Sequence, residues 1–259
     1  LKEDGTFMLE QKYFNYSPGL TMTNEKFNRL FGQPVRKPET DKITEFHMDI
    51  AASIQKVTEK IMLMLAKSLR EEYQLPNLCL AGGVALNCVA NGKILKNNIF
   101  ENIWIQPAAG DAGGSLGAAL AFWHKELGNK RKISANKKDG MNGSYLGPSY
   151  KEDEIELTLK SLSAKYEKKI EEDLISTVAT ELKNEKTIGW FQGRMEFGPR
   201  ALGSRSILAD PRSNKMQKEL NLKVKFRESF RPFAPSVLRE DLPKWFCLLY
   251  TSPSPRDAT

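Results

Sequence analysis

The chain has 259 residues, 40% of them hydrophobic and 27% charged, with a formal net charge of +7 at pH 7, the profile of a globular chain with material for one large or two ordinary domains. No apolar run approaches the length of a membrane helix and no basic-then-apolar leader precedes the first elements, so the expected location is cytoplasmic, without a membrane partner. Three cysteines, Cys79, Cys88 and Cys247, are odd in number and lack CxxC spacing, which argues against a disulfide framework or a thiolate zinc site.

The first residue is Leu1, and residues 2–15 alternate in the manner of a hairpin or strand pair belonging to a domain joined partway through. Residues 23–31 read as a short helix capped by Thr23 or Asn24, with Gly32 behind it. In residues 49–73 the apolar positions Ile50, Ile54, Val57, Ile61, Met64, Leu65 and Leu69 recur at three and four, which predicts a long amphipathic helix preceded by His47.

Two strand, glycine turn and helix units follow. Residues 78–80 predict a short strand in which Cys79 is buried, and Gly82 and Gly83 then lead into a helical stretch. Such a turn brings backbone close to a nucleotide in α/β sheets, although two adjacent glycines serve equally well for a tight turn alone. Residues 102–106 predict the second strand, residues 107–114 a glycine-rich turn holding Asp111, and residues 116–123 a helix on which His124 also falls. A carboxylate at that place holds a cation, orients a phosphate or simply caps the helix.

Residues 128–143 are polar and rich in Gly, Asn and Lys, and predict a linker with a boundary near Gly143. Beyond it, Ser149 or Asp153 caps a predicted helix, residues 174–182 give another, residues 217–222 a short one, and residues 233–238 a strand. Residues 247–259, CLLYTSPSPRDAT, show no periodicity and read as a non-native tail.

Between these elements lies GWFQGRMEFGPRALGSRSILADPR, residues 189–212. An apolar strand precedes Gly193 and Gly198, which free the backbone for tight turns, and Pro199 occupies a natural first helical position. A helix starting there would set its N–H groups beside Arg194, Arg200 and Arg205, an arrangement suited to phosphate or carboxylate. Residues 189–239 carry eleven Lys and Arg against four Asp and Glu, an excess equal to the charge of the whole chain. The positive balance is therefore local, pointing to a focused anionic ligand and not to nucleic acid; a plain solvated basic face is the competing reading.

LAGGVALNCVANGKI, QPAAGDAGGSLGAAL, YLGPSY, the 189–212 segment and KFRESFRPFAPSVLRED, in that order, resemble the carbamoyltransferase family of the nodulation, cephamycin and tobramycin type. The resemblance covers residues 1–246. It implies an α/β protein whose residues 1–143 belong to an actin and sugar-kinase-like ATPase (ASKHA) domain and whose residues 144–246 belong to a YrdC-like domain. It further implies that ATP, with Mg, and carbamoyl phosphate give a carbamoyl-adenylate, whose carbamoyl group passes to a hydroxyl of a sugar or antibiotic-like acceptor. By the same resemblance Gly82, Gly83 and Asn87 lie along the nucleotide, and Asp111 binds iron or another divalent metal. Arg194, Arg200 and Arg205 are the implied catalytic residues, and Lys225, Arg227 and Arg231 hold carbamoyl phosphate and the ATP phosphates. Arg200 and Arg205 would stabilise charge as carbamate attacks the α-phosphate.

The family's histidine metal ligands precede this stretch, and His47 and His124 stand outside any paired motif. The chain is accordingly expected to be inactive alone. Two other classes compete with the enzyme reading: an actin-like nucleotide-binding regulator, and an RNA binder that stacks bases on Trp190, Phe191, Phe226 and Phe230.

Overall fold

A computed structural model describes residues 1–132 and 140–245. These residues form a mixed α/β structure that divides into two compact units: Leu1–Cys79 with Asn87–Trp104, and Leu80–Leu86 with the residues from Ile105 onward. The expected boundary near Gly143 falls inside the second unit, and part of the expected linker, like the tail at residues 247–259, lies outside the described residues. Among the described residues no helix is long and apolar enough to cross a membrane.

The first unit is built on helices. Helix α1, Glu25–Phe31, is capped by Asn24, whose side-chain oxygen accepts from the N–H groups of Lys26 and Phe27, and Gly32 ends it at φ 74°. Helix α2, Glu45–Tyr73, begins earlier than its apolar repeat implies. The Thr44 N–H donates to His47 Nδ1 at 3.2 Å, so His47 lies in the first turn and closes the helix start. Helix α3, Cys88–Lys96, packs on α2 and buries Ala90 and Ile94. A polar seam joins the two helices: the side-chain amides of Gln55 and Asn87 exchange hydrogen bonds, and buried Glu59 pairs with Lys93 while accepting from Gln55.

Strand β1, Asn77–Leu80, pairs with strand β2, Asn102–Ile105. The Asn102 N–H reaches the Pro76 carbonyl and the Gln106 N–H the Leu80 carbonyl at the same separation along the chain, which is the pattern of parallel strands joined through a helix. Cys79 is on the strand as expected but is exposed; Leu78 takes the inward face. The predicted strand pair in residues 2–15 is replaced by turns and a single bridge between Phe14 and Thr23.

In the second unit, helix α4, Asp111–Ala121, starts within the predicted glycine turn and runs into a wider turn at Phe122–Glu126. Helices α5, Glu152–Ser161, and α6, Glu171–Lys183, precede a hairpin of strands β3, Ile188–Phe191, and β4, Arg205–Leu208. The strands are antiparallel, with Ile188 opposite Leu208 and Phe191 opposite Arg205. The start of α5 is closed by Glu154, which accepts from the Lys151 N–H, and not by Ser149 or Asp153. Helix α7, Met216–Glu219, continues into a wider turn at Leu220–Val224, and residues 233–238, predicted as a strand, have no ladder partner among the described residues.

Candidate functional site

The connection between β3 and β4, residues 192–204, carries the Gly193, Arg194, Gly198, Pro199 and Arg200 of the anion-site reading. It is not helical. In a helix beginning at Pro199 the Leu202 N–H would seek the Gly198 carbonyl; instead it donates to Glu196 Oε1 at 2.9 Å, and that carbonyl accepts from Arg205 Nη2 at 2.5 Å. Gly198 at φ 116° and Gly203 at φ 114° lie outside helical backbone geometry, and Arg205 is drawn into the β4 ladder. The expected helix N-terminus is therefore absent, and the donors this loop can offer are those of side chains and loop backbone.

The loop is clasped from outside by residues 144–148. The Gly147 N–H donates to the Met195 carbonyl at 3.0 Å, the Met195 N–H to Pro148, and the Phe197 N–H to Ser144 at 2.7 Å, while Ser144 Oγ donates to the Phe197 carbonyl at 2.7 Å. Arg194 Nη1 donates to the Gly147 carbonyl at 2.6 Å. An open cleft of about 350 Å³ results, lined by Tyr145, Gln192, Gly193, Arg194 and Ser204. Two of its lining residues are joined by backbone, the Gln192 N–H donating to the Ser204 carbonyl at 2.8 Å, and the Gln192 side chain is held by its Nε2 donating to the Gly203 carbonyl at 3.2 Å.

Behind the cleft wall lies Glu196, 2% exposed, which the sequence reading passed over. Its Oε1 accepts from Leu202 and, at 2.7 Å, from Ser204; its Oε2 stands 3.6 Å from Arg205 Nε and has no hydrogen-bond donor. Burial pushes this carboxyl up, but the backbone N–H groups of Glu196, Ser204 and Leu202, with the Arg205 charge, outweigh burial and hold it below the usual carboxylate range. Beyond β4, Asp210 is held down to about 2 by the side chain and N–H of Arg212, whose guanidinium grips it at 2.6 to 3.0 Å.

The expected site residues separate into groups. Arg194 lines the cleft; Arg205 lies behind it, engaged by Gly198 and Glu196. Arg200 is exposed and makes no hydrogen bond or ion pair with another described residue. Lys225, Arg227 and Arg231 do not line the cleft. The last two belong to a loop organised by fully buried Asn221, whose Oδ1 accepts from Arg227 Nε at 2.6 Å and whose Nδ2 donates to the Arg231 carbonyl at 2.8 Å. The Arg227 guanidinium stacks over Phe233 at 4.9 Å, and Arg231 pairs with Glu228. The backbone N–H of Lys225 closes the turn onto Leu220. Asn221 carries no charge or glycine signal, which is why sequence reasoning missed it.

Among the nucleotide candidates, the Gly82 N–H donates to the Ala109 carbonyl at 2.7 Å and Gly83 begins the short turn Gly83–Leu86. The same Pro107–Ala109 turn receives Gly198, so the first glycine motif and the arginine loop converge on it within the second unit. Asn87 lies in the first unit, where its side chain caps α3 through the Ala90 N–H and pairs with Gln55. Asp111 is the exposed first residue of α4, and the described residues hold no group of three or more His, Cys, Asp or Glu side chains able to bind a metal. A lone carboxylate does not make a metal site.

Residues 1–120 match the family described as Carbamoyltransferase N-terminus, and residues 179–255 match Carbamoyltransferase C-terminus. Among similar proteins, the uncharacterized protein sll1178 of Synechocystis sp. is 59% identical over 98% of this chain and 41% of its own length. The nodulation protein NolO of Bradyrhizobium diazoefficiens is 44% identical over 78% of this chain and 36% of its own length. The nodulation protein U of Sinorhizobium fredii is 32% identical over 76% of this chain and 33% of its own length. The chain thus spans about two fifths or less of the relatives it matches. With both family regions present in order and the arginine loop folded around one cleft, the chain belongs to the carbamoyltransferase family.

Proposed function

We propose that this chain forms part of a cytoplasmic O-carbamoyltransferase, in which the cleft at Arg194 receives phosphate oxygens of carbamoyl phosphate or ATP. The observation that carries the reading is a cleft lined by Arg194 together with Tyr145, Gln192, Gly193 and Ser204, in a chain matching both carbamoyltransferase regions. A guanidinium fork suits phosphate oxygens bidentately, and its bond to Gly147 fixes the fork before ligand arrives.

In the proposed reaction water cleaves carbamoyl phosphate to carbamate and phosphate, and a carbamate oxygen then attacks the α-phosphorus of ATP with loss of pyrophosphate. The acceptor hydroxyl finally attacks the carbamoyl carbon, its proton leaves to solvent or a base, and AMP departs. Neutralising and aligning several negative charges is most of what such transfer requires. Arg194 binds, and exposed Arg200 has its donors free to follow the charge that develops on the α-phosphate. Arg205 supports the loop from behind. Lys225, Arg227 and Arg231 belong to the proposal as a second basic surface for the nucleotide phosphates, with Gly82, Gly83 and Asn87 as nucleotide contacts.

The ASKHA and YrdC-like assignments belong to the same proposal. ATP enters as its Mg complex. Asp111 is the single residue here offered to a divalent metal such as iron; the described residues complete no site, so no step is routed through it. The acceptor is a small-molecule or saccharide hydroxyl, with no nucleic acid partner. A regulator that merely binds nucleotide has no counterpart in the family match.

The test is pyrophosphate release from ATP by the full-length protein, with and without carbamoyl phosphate and with no acceptor. Release that depends on carbamoyl phosphate supports adenylate formation. ATP binding with no such release would favour the nucleotide-binding regulator.

A further inference from the structure

Burying a carboxylate costs free energy that its surroundings must offset, so what Glu196 holds in place indicates what it is for. It holds two things. Through the Ser204 N–H at 2.7 Å it fixes a residue that lines the cleft, and the Ser204 carbonyl in turn receives the N–H of Gln192, a second lining residue. Through Oε2 it faces Arg205 Nε at 3.6 Å, while Arg205 Nη2 donates to the Gly198 carbonyl at 2.5 Å. Arg205, at the start of β4, thus ties down the middle of the loop that carries Arg194 and Arg200. Its guanidinium is engaged by protein groups and does not line the cleft.

We propose that Glu196 is a positioning residue of the anion cleft, acting through Ser204 and Arg205, and that Arg205 is its partner in this task and not a phosphate ligand. The proposal rests on the reading of the cleft as an anion site. The pair keeps the wall in its binding shape before ligand arrives, so that ligand binding does not have to order the loop.

The test uses inorganic pyrophosphate as the probe, titrated calorimetrically into the full-length protein as wild type, E196Q, R205Q and the double variant. Gln retains an acceptor for the Leu202 and Ser204 N–H groups and removes the charge facing Arg205. Each single variant is expected to weaken binding about tenfold, and the double variant no more than about tenfold, because the two side chains act as one unit. If R205Q weakens binding while E196Q leaves it unchanged or tightens it, Arg205 is a direct ligand and the proposal falls. Wild-type affinity in all variants overturns it equally.

Hydrogen exchange at the Leu202 and Ser204 amides supplies a readout that needs no ligand. E196Q is expected to speed exchange at both by about tenfold relative to α6, and unchanged exchange would sink the brace. Should the wild-type protein bind no pyrophosphate, the anion-site reading fails by itself and the exchange measurement still decides the role of Glu196. Should E196Q not fold, R205Q, whose altered side chain is 31% exposed in the native chain, carries the exchange test instead: faster exchange supports the pair, wild-type exchange refutes it.

Discussion

Gly198 lies so close to Ala108 that a Cβ on it would stand 3.1 Å from the Ala108 Cα, against a residue with no exposed surface. Its φ of 116° is also one that side chains rarely adopt. Gly198→Ala is therefore expected to lower stability by about 1–3 kcal/mol, through strain and overpacking together. A chemical-denaturation midpoint indistinguishable from wild type would show that this approach is looser than described.

Neighbouring glycines of α4 make a sharper contrast. A Cβ at Gly113 would lie 1.9 Å from the Ala108 carbonyl oxygen, which is backbone and cannot swing away, whereas Gly114 faces open space. Gly113→Ala is expected to cost roughly 3 kcal/mol or more, and Gly114→Ala to gain about 0.5–1 kcal/mol as a helix-interior glycine replaced by a better helix former. Thermal melts of the two single variants decide it, and equal shifts would contradict the packing of α4 on the Pro107–Ala109 turn.

Arg200 makes no bond to another described residue, so its loss leaves stability unchanged and isolates its chemical role. In the full-length protein Arg200→Ala is expected to slow carbamoyl-adenylate formation about a hundredfold, the scale for losing one charge-stabilising donor. A rate within a few-fold of wild type would remove Arg200 from the reacting centre.

Asp210 gives a pH prediction with a definite sign. Arg212 holds its folded-state pKa at about 2, below the ordinary value of about 3.9 for an unfolded Asp. The group therefore adds stability that is fully present above the unfolded value and is lost as pH falls through that window towards about 2. Urea midpoints of wild type and Asp210→Asn, followed from pH 5 to about pH 2, are expected to converge at the acid end. A constant difference across that range would mean that the carboxylate charge is not what Arg212 stabilises.

Where a local signal agreed with its surroundings, it was readable. The Asn24 cap with Gly32 behind it, the apolar repeat of α2 and the two strand-to-helix glycine turns are each specified within a few residues, and each occurs. The arginine loop stood out by its composition, but its shape was not readable. Pro199 favours a helix start, yet a carboxylate three residues earlier captures the N–H groups that helix would use, and the β4 ladder claims Arg205. That competition depends on contacts across the turn, which residue spacing does not display. Cys79 shows the same limit on a smaller scale: an apolar run of three marks the strand, while which of its faces is covered depends on what packs there.

The clasp between Ser144 and Phe197 joins residues 53 positions apart, with α5 and α6 inside the span. Closing so long a span costs entropy that only the finished contacts return, whereas the two enclosed helices form from local interactions. During synthesis, then, Tyr145 emerges from the ribosome well before the loop that gives it a place, and waits while both helices are made. A chain cut short before Phe197 would carry the sequence of both helices but could not close the Ser144–Phe197 clasp, and so could not form the cleft.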